Sequence, residues 1–215
     1  MRTILISGFE AFGGEKNNPS LQAVTILNGW SVADVNVVAV YLPVGWEKVA
    51  SIITNILDTY QPLAFIAVGQ AGGRAKMAVE RIGINTCLGK DNYEILRRGE
   101  KVVESGADGY FASIDPFNLS EAMNAAGAPA YVSNTAGTYL CNYALYTIEH
   151  HIRQHHLETK STFIHIPFLP EQITEKKEAT LPSMSLDTII LGLKAAIRYV
   201  VEGKESTEMD QGEIH

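Results

Sequence analysis

Short apolar runs alternate along the chain with longer stretches whose apolar positions recur every three or four residues. Residues 4–7 form a compact apolar run that stops at Gly8, and this pattern predicts a buried strand. Asn18-Pro19 has the form of a helix start, a capping side chain followed by a residue whose fixed φ suits the first turn. Leu21, Val24, Ile26 and Leu27 supply that helix with its apolar side. Residues 35–42 predict a second strand and 46–57 a second helix, with Val49, Ile52, Ile53 and Ile56 on one face. A third strand over 64–68 runs into Gly69-Gln70-Ala71-Gly72-Gly73. The middle is less regular. Residues 77–87 and 93–103 have a mixed, extended character that predicts a hairpin or meander at the margin of a sheet. Beyond them the pattern predicts a helix over 119–126, a strand over 130–132, a long helix near 139–156, a strand over 162–166 and a last helix over 186–201.

Strand–helix alternation of this kind implies an α/β fold: a three-layer α/β/α sandwich with a mostly parallel, twisted central sheet and a marginal hairpin or meander. In such sheets, sites collect in loops beyond the carboxyl ends of the strands. The loops over 8–18, 69–74 and 134–141 are the ones to inspect. No repeat, low-complexity stretch or linker interrupts the chain, so 1–202 reads as a single domain. Residues 203–215 are polar, acidic and aperiodic and read as a disordered tail.

Composition narrows the class without naming a chemistry. The 215 residues are 46% hydrophobic and 19% charged, and 17 basic against 24 acidic side chains leave a net charge of −7. That apolar content is too high for a disordered chain. The negative balance disfavours a nucleic-acid partner. The first apolar run is too short for a secretory signal, and none approaches a bilayer span of about 20 residues. Two cysteines, Cys87 and Cys141, cannot build a disulfide framework. A cytoplasmic protein without a membrane partner is expected.

Three familiar motifs fail. Gly8-Phe9-Glu10-Ala11-Phe12-Gly13-Gly14 follows a strand, but Gly13 is followed by Gly14-Glu15 where a phosphate loop carries Lys and then Ser or Thr. His150, His151, His155 and His156 cluster on one helix, yet no general-base Glu or third ligand accompanies them, and a solvated polar helix end is the expected reading. No G-x-S-x-G elbow occurs.

Cys141 is more promising. Small, turn-forming residues over 133–138 lead into helical pattern, so Cys141 falls in the first helical turn, where unpaired N–H groups favour an anion and would lower a thiol pKa. A free cysteine is also commonly a small buried hydrophobe. His165 closes the apolar strand over 162–166 and offers a proton acceptor for such a thiol, although a strand-end histidine can equally be bonded to backbone. Glu80, in Val79-Glu80-Arg81, would suit an imidazole-orienting carboxylate or a sheet-edge salt bridge with Arg81. Cys87 sits in an extended segment and reads as structural.

Taken together, these blocks resemble the pyroglutamyl peptidase I (pyrrolidone-carboxylate peptidase) family, cysteine exopeptidases that remove an N-terminal pyroglutamyl residue. The matching residues are Gly8–Gly14 with Asn18-Pro19, Gly69–Arg74 with Glu80-Arg81 and Ile84-Asn85, Ser133–Asn142, Phe163–Pro167 and Pro182–Leu186. The resemblance implies a catalytic triad of Cys141, His165 and Glu80 acting through a thioester acyl-enzyme. It also implies a lactam pocket involving Phe9, Phe12, Asn18 and the Gln70 backbone, with Phe12 packed on the ring. The expected partner is a peptide with an N-terminal pyroglutamate, with no cofactor and no metal, and the expected assembly is a homotetramer or dimer. One departure stands out: where the family usually carries an arginine shortly before an Asp-Asn pair, this chain has a shortened run with Lys90 before Asp91-Asn92. Lysine supplies a point charge, not a planar fork. On that departure a second reading remains, a catalytically weak protein that binds pyroglutamyl peptides. A nucleoside-phosphorylase-like enzyme is a third, opposed by the poor phosphate loop.

Overall fold

Neighbouring side chains in a strand face opposite ways, so a continuous run such as Ile4-Leu5-Ile6 needs apolar cover on both sides. That requirement sets the architecture. The computed structural model describes residues 2–174, 176–178 and 180–203. In chain order its elements are β1 (Arg2–Phe9), α1 (Pro19–Leu27), β2 (Ser31–Val32), β3 (Val35–Leu42), α2 (Trp46–Tyr60), β4 (Ala64–Gln70), β5 (Met77–Glu80) and β6 (Ile82–Ile84). They continue as β7 (Cys87–Lys90), β8 (Leu96–Glu100), β9 (Gly109–Phe111), α3 (Pro116–Ala125), β10 (Ala130–Ser133), α4 (Leu140–Gln154), β11 (Lys160–Ile166), α5 (Pro170–Ile173) and α6 (Leu186–Glu202).

Seven strands form the central sheet in the order β10-β5-β11-β4-β1-β3-β2. The strands β3, β1, β4 and β11 run parallel. The pair β5 and β10 runs the other way, and β2 closes the far edge antiparallel to β3. On one face Ile4, Ile6, Ile66, Val68, Ile164 and Ile166 pack beneath α1, α3 and α6. On the other, Leu5, Phe65, Ala67 and Phe163 pack beneath α2 and α4. The three-layer sandwich expected from the alternation is therefore present.

The middle of the chain differs from the expected marginal meander. Met77–Glu80 enters the central sheet between β11 and β10, and all four of its residues are buried. Ile82–Ile84 pairs with Gly109–Phe111, and the separate hairpin is Cys87–Lys90 with Leu96–Glu100. A four-residue strand is too short for its side-chain pattern to distinguish an interior position from an edge. Apart from Gly203, which caps α6 at φ 62°, the tail expected over 203–215 lies outside the described residues. Among the described residues no helix is long and apolar enough to cross a membrane.

The first loop is held by its own side chains. Asn18 caps α1: its Oδ1 accepts from Ser20 N at 3.0 Å and Ser20 Oγ at 2.7 Å, and its Nδ2 donates to the Glu10 carbonyl at 3.0 Å. Ser20 Oγ in turn accepts from Phe9 N at 3.0 Å. This closure needs a close approach, because a Cβ on Gly8 would lie 2.5 Å from the Ser20 carbonyl oxygen. The obstacle is backbone and cannot rotate away. Gly8→Ala is accordingly expected to cost about 1–3 kcal/mol, read as a lower urea midpoint with an unchanged m-value.

Candidate active site

Strand register brings three side chains to one face of the sheet. In the antiparallel pair β5–β11, Glu80 lies opposite Phe163 and His165 opposite Ala78. Directly opposed residues share a face, and so do residues two apart. Glu80, Phe163 and His165 therefore all point toward the layer of α2 and α4. In the parallel pair β4–β11, His165 is the partner of Gly69. Cys141 is the second residue of α4, and its Sγ lies 2.8 Å from where a Cβ on Gly69 would be. The missing side chain at Gly69 is what admits the thiol. The Phe163 ring crowds the same spot, also at 2.8 Å.

The imidazole and the carboxylate are bonded: His165 Nδ1 and Glu80 Oε1 are 2.7 Å apart. With Nδ1–H donated to the carboxylate, Nε2 is left as the ring's acceptor. The Phe163 ring lies beside the imidazole, centroids 4.8 Å apart. The alternative expected for Glu80, a sheet-edge bridge to Arg81, is overturned. Glu80 has no exposed surface and β10 lies outside it. Arg81 faces elsewhere, over the rings of Phe111 and Phe117, as consecutive residues of an extended chain must.

The cation that does meet Glu80 is Arg74, which local pattern did not single out for this place. Arg74 Nη1 donates to the same Oε1 at 2.7 Å. Lys90, the residue nearest the place of the family's arginine, is exposed and ion-paired with Glu94. Its backbone carbonyl accepts from Tyr139 Oη at 2.8 Å, while its ammonium is turned to Glu94 and not to Glu80.

Burial dominates the electrostatics of the pair. It pushes the Cys141 thiol up to about 12, the Glu80 carboxylate adds to the rise, and Arg74 opposes it. Burial also lowers His165, against the raising effect of Glu80, with Arg74 lowering it further. The expectation of a thiol acidified by the start of a helix is therefore reversed. Removal from water outweighs the partial charges of the first-turn N–H groups. At neutral pH the resting pair is thiol and neutral imidazole.

The lactam-pocket residues divide. Phe9 is part of the core under α2 and α4. Asn18 is buried and its amide is spent on capping α1 and on Glu10. Phe12 and Gln70 instead line a cavity of about 480 Å³, together with Gly72, Phe168, Lys176 and Leu181. Gln70 is one residue along β4 from Gly69. Its side-chain oxygen accepts from Gln172 Nε2 at 2.9 Å, and the same amide reaches Glu15, which is ion-paired with Lys176. Tyr139, whose ring lies 6.2 Å from that of Phe12, adds an aromatic neighbour. Gln172, Lys176 and Tyr139 were missed because nothing in local pattern ties them to Gln70 or Phe12.

The histidine cluster is only partly a solvated helix end. His155 and His156 are exposed. His151 is buried and bonded to Asp58 at 2.7 Å, and His150 bonds Tyr110 Oη at 3.1 Å. Among the described residues no three His, Cys, Asp or Glu side chains are placed to hold a metal ion. Cys87 is buried, with its Sγ 3.3 Å from the Glu100 carbonyl.

A family model described as pyroglutamyl peptidase matches residues 2–203. The chain is 36% identical over 217 aligned residues to a pyrrolidone-carboxylate peptidase of Yersinia pestis (strain Pestoides F), covering 100% of both chains. A mutant pyrrolidone carboxyl peptidase from Pyrococcus furiosus has a similar structure, with TM-score 0.91, 35% identity and coverage of 94% of this chain and 99% of that one. Pyroglutamyl peptidase I of Bacillus amyloliquefaciens gives TM-score 0.86 at 37% identity, covering 91% of this chain and 95% of that one.

The resting protonation state is directly measurable. In a Cys87→Ser background, alkylation of Cys141 by iodoacetamide is expected to be slow near about pH 6 and to climb without levelling through about pH 9. The sign follows from the raised thiol: each step up in pH below about 12 increases the thiolate fraction. A plateau reached below about pH 7 would instead reveal a thiolate already formed at rest.

Proposed function

The chain belongs to the pyroglutamyl peptidase family, and on that premise we propose that Cys141, His165 and Glu80 carry its chemistry as nucleophile, general base and orienting carboxylate. The enzyme is a cysteine hydrolase of the pyroglutamyl peptidase I type that acts on peptides. The observation that supports the assignment best is the 2.7 Å His165–Glu80 bond on the sheet face where Cys141 meets Gly69.

In the proposed cycle the substrate's carbonyl, joining pyroglutamate to the next residue, settles beside Sγ. Nε2 of His165 takes the thiol proton as the S–C bond forms, so thiolate and imidazolium arise together. This suits a pair that is neutral at rest. Glu80 stabilises the imidazolium through Nδ1. The carbonyl oxygen becomes an oxyanion facing the N-terminus of α4, where first-turn N–H groups lack intrahelical partners and Tyr139 makes no side-chain cap. Such donors contribute about 2.7–4 kcal/mol each in the best-measured case. When the tetrahedral intermediate collapses, the C–N bond breaks, the leaving amine takes the proton from His165, and a thioester remains. Water, deprotonated by the same Nε2, then attacks the thioester. Pyroglutamate leaves, and Sγ recovers its proton.

The pyroglutamyl ring is neutral and flat, without a free amine. We assign it to the cavity lined by Phe12 and Phe168, with the backbone at Gln70 bonding the lactam and Phe12 covering the ring. Phe9 and Asn18 serve the same pocket from behind, one anchoring the loop in the core and the other fixing its path. Self-association as a tetramer or dimer and a cytoplasmic setting, which keeps the thiol reduced, complete the reading. Sedimentation equilibrium would read a mass of two or four chains, whereas a monomer at micromolar concentration would refute the assembly.

The decisive assay is fluorophore release from a pyroglutamyl-coumarin amide beside its prolyl and glutamyl analogues. Wild type is expected to cleave the first alone. Cys141→Ser and His165→Ala should each lose roughly 10³-fold or more in kcat, and Glu80→Gln about 10²–10⁴-fold with the fold intact. Full activity in Cys141→Ser would sink the nucleophile assignment.

A further inference from the structure

Resting on the roles just given to Glu80 and His165, we propose that Arg74 is a positioning residue of this enzyme, holding the Glu80 carboxylate in place for His165 and acting on the reaction through it. Glu80 is fully buried, and a buried carboxylate needs a compensating partner. His165 is neutral at rest, so its Nδ1–H offers a hydrogen bond and no charge. Arg74 supplies the charge. Both donors converge on one oxygen, Nδ1 and Nη1 each at 2.7 Å from Oε1. Oε2 is buried with no hydrogen-bond partner. The carboxylate is thus oriented entirely through Oε1, and Arg74 makes one of the two bonds that define it.

Topology explains why this arginine reaches Glu80 when Arg81, the neighbour of Glu80 in sequence, does not. The segment over 71–76 leaves β4, passes over the end of β11 and enters β5 on its far side. Both ends of the crossing are tied: Ala71 N donates to the Ile166 carbonyl at 2.9 Å, and Met77 N to the Pro129 carbonyl at 2.9 Å. Arg74 lies between these anchors, and its long side chain turns down along β5. Arg81 is committed to Phe111 and Phe117, Lys90 to Glu94 and Lys176 to Glu15.

The titratable and charged groups around His165 are Glu80 on β5, Cys141 on α4 and Arg74 in the crossing segment. Arg74 opposes protonation of the imidazole and lowers the thiol. It therefore does two things: it fixes the carboxylate, and it keeps His165 available as a base at lower pH. The second effect is one that a purely structural salt bridge would not produce in a rate profile.

The test compares wild type, Arg74→Gln, Arg74→Lys and Lys90→Gln on the pyroglutamyl-coumarin amide across pH, with thermal unfolding run on each. Arg74→Gln is expected to lower kcat roughly 10–100-fold with KM changed less than about threefold. Its acid limb of kcat/KM should move to higher pH, because the cation that suppressed imidazole protonation is gone. Arg74→Lys should keep the limb near its wild-type position and recover part of kcat, since charge returns without the planar fork. Lys90→Gln should match wild type. In a Glu80→Gln background, Arg74→Gln should lower kcat by less than about a further twofold at pH above the acid limb, as it must if its positioning effect runs through that carboxylate. A folded Arg74→Gln enzyme with unchanged kcat and an unmoved acid limb overturns the inference. If that variant does not fold, Arg74→Lys decides: reduced kcat with a retained limb supports the inference, and wild-type kcat overturns it. Activity surviving in Cys141→Ser would instead overturn the catalytic assignment on which the inference rests.

Discussion

A carboxylate with no exposed surface has to be compensated where it is buried, and the compensation of Glu80 organises the centre of this molecule. Left alone, an ionised carboxylate in an apolar layer costs several kcal/mol. Here β5 is inserted antiparallel beside β11, so Glu80 stands across from Phe163 with His165 two residues along on the same face. The crossing segment that makes this insertion possible also delivers Arg74. Had β5 lain at the margin of the sheet, as its pattern suggested, Glu80 would be solvated and free to rotate. Its bond to the imidazole would then be one surface contact among many, with little energy to hold it.

The same burial sets the resting state of the thiol. Excluding water makes every charge in the site harder to form, so Cys141 stays protonated and His165 stays neutral. A site arranged in this way does not hold a thiolate and imidazolium before substrate arrives. In the proposed cycle charge separates only as the S–C bond forms, when the α4 N-terminus and Glu80 are both in position to stabilise it. Dipoles fixed in advance act more strongly in a dry site than in water and need no reorganisation during reaction. Burial therefore raises the cost of the resting ion pair while strengthening the groups that favour the transition state.

Much of this was legible in the sequence, unevenly and for physical reasons. Long periodic segments declared themselves: the strand expected over 35–42 is Val35–Leu42, and the helix expected near 139–156 is Leu140–Gln154 with Cys141 in its first turn. Glu80, His165 and Cys141 were candidates from residue type, position and family resemblance. Their convergence is a matter of register, which no local pattern encodes. Arg74 was visible only as the end of a glycine-rich stretch, because its relation to Glu80 depends on β5 passing over to the far side of β11. The thiol's direction of shift was misread for a similar reason. A helix start can be seen in the sequence, whereas the loss of water around Sγ depends on the Phe163 ring and Gly69 being close in space. Phe9, grouped with Phe12 by its motif, proved to be core.

A second buried carboxylate in the same molecule shows what full satisfaction looks like. Glu149 also has no exposed surface. Its Oε1 accepts from Ser113 N at 2.8 Å, Ser113 Oγ at 2.9 Å and Ser161 Oγ at 2.7 Å, while Oε2 takes Arg153 at 3.3 Å. Both oxygens are occupied, and the group pins α4 to the start of β11 and to the chain leading into α3. Glu80 also has an arginine, yet one of its oxygens is left without a partner. Burying an acceptor unpaired costs about 1–3 kcal/mol, a cost that Glu149 avoids because Arg153 reaches its second oxygen while the serines take the first. The proposed role of Glu80 accounts for the difference. Glu149 meets three neutral donors and one arginine and no imidazole, whereas Glu80 meets the His165 ring directly through Oε1, where its charge can stabilise the proton that the ring gains in the proposed cycle. One carboxylate fixes the helix that carries the thiol, and the other remains electrostatically available to the base that serves it.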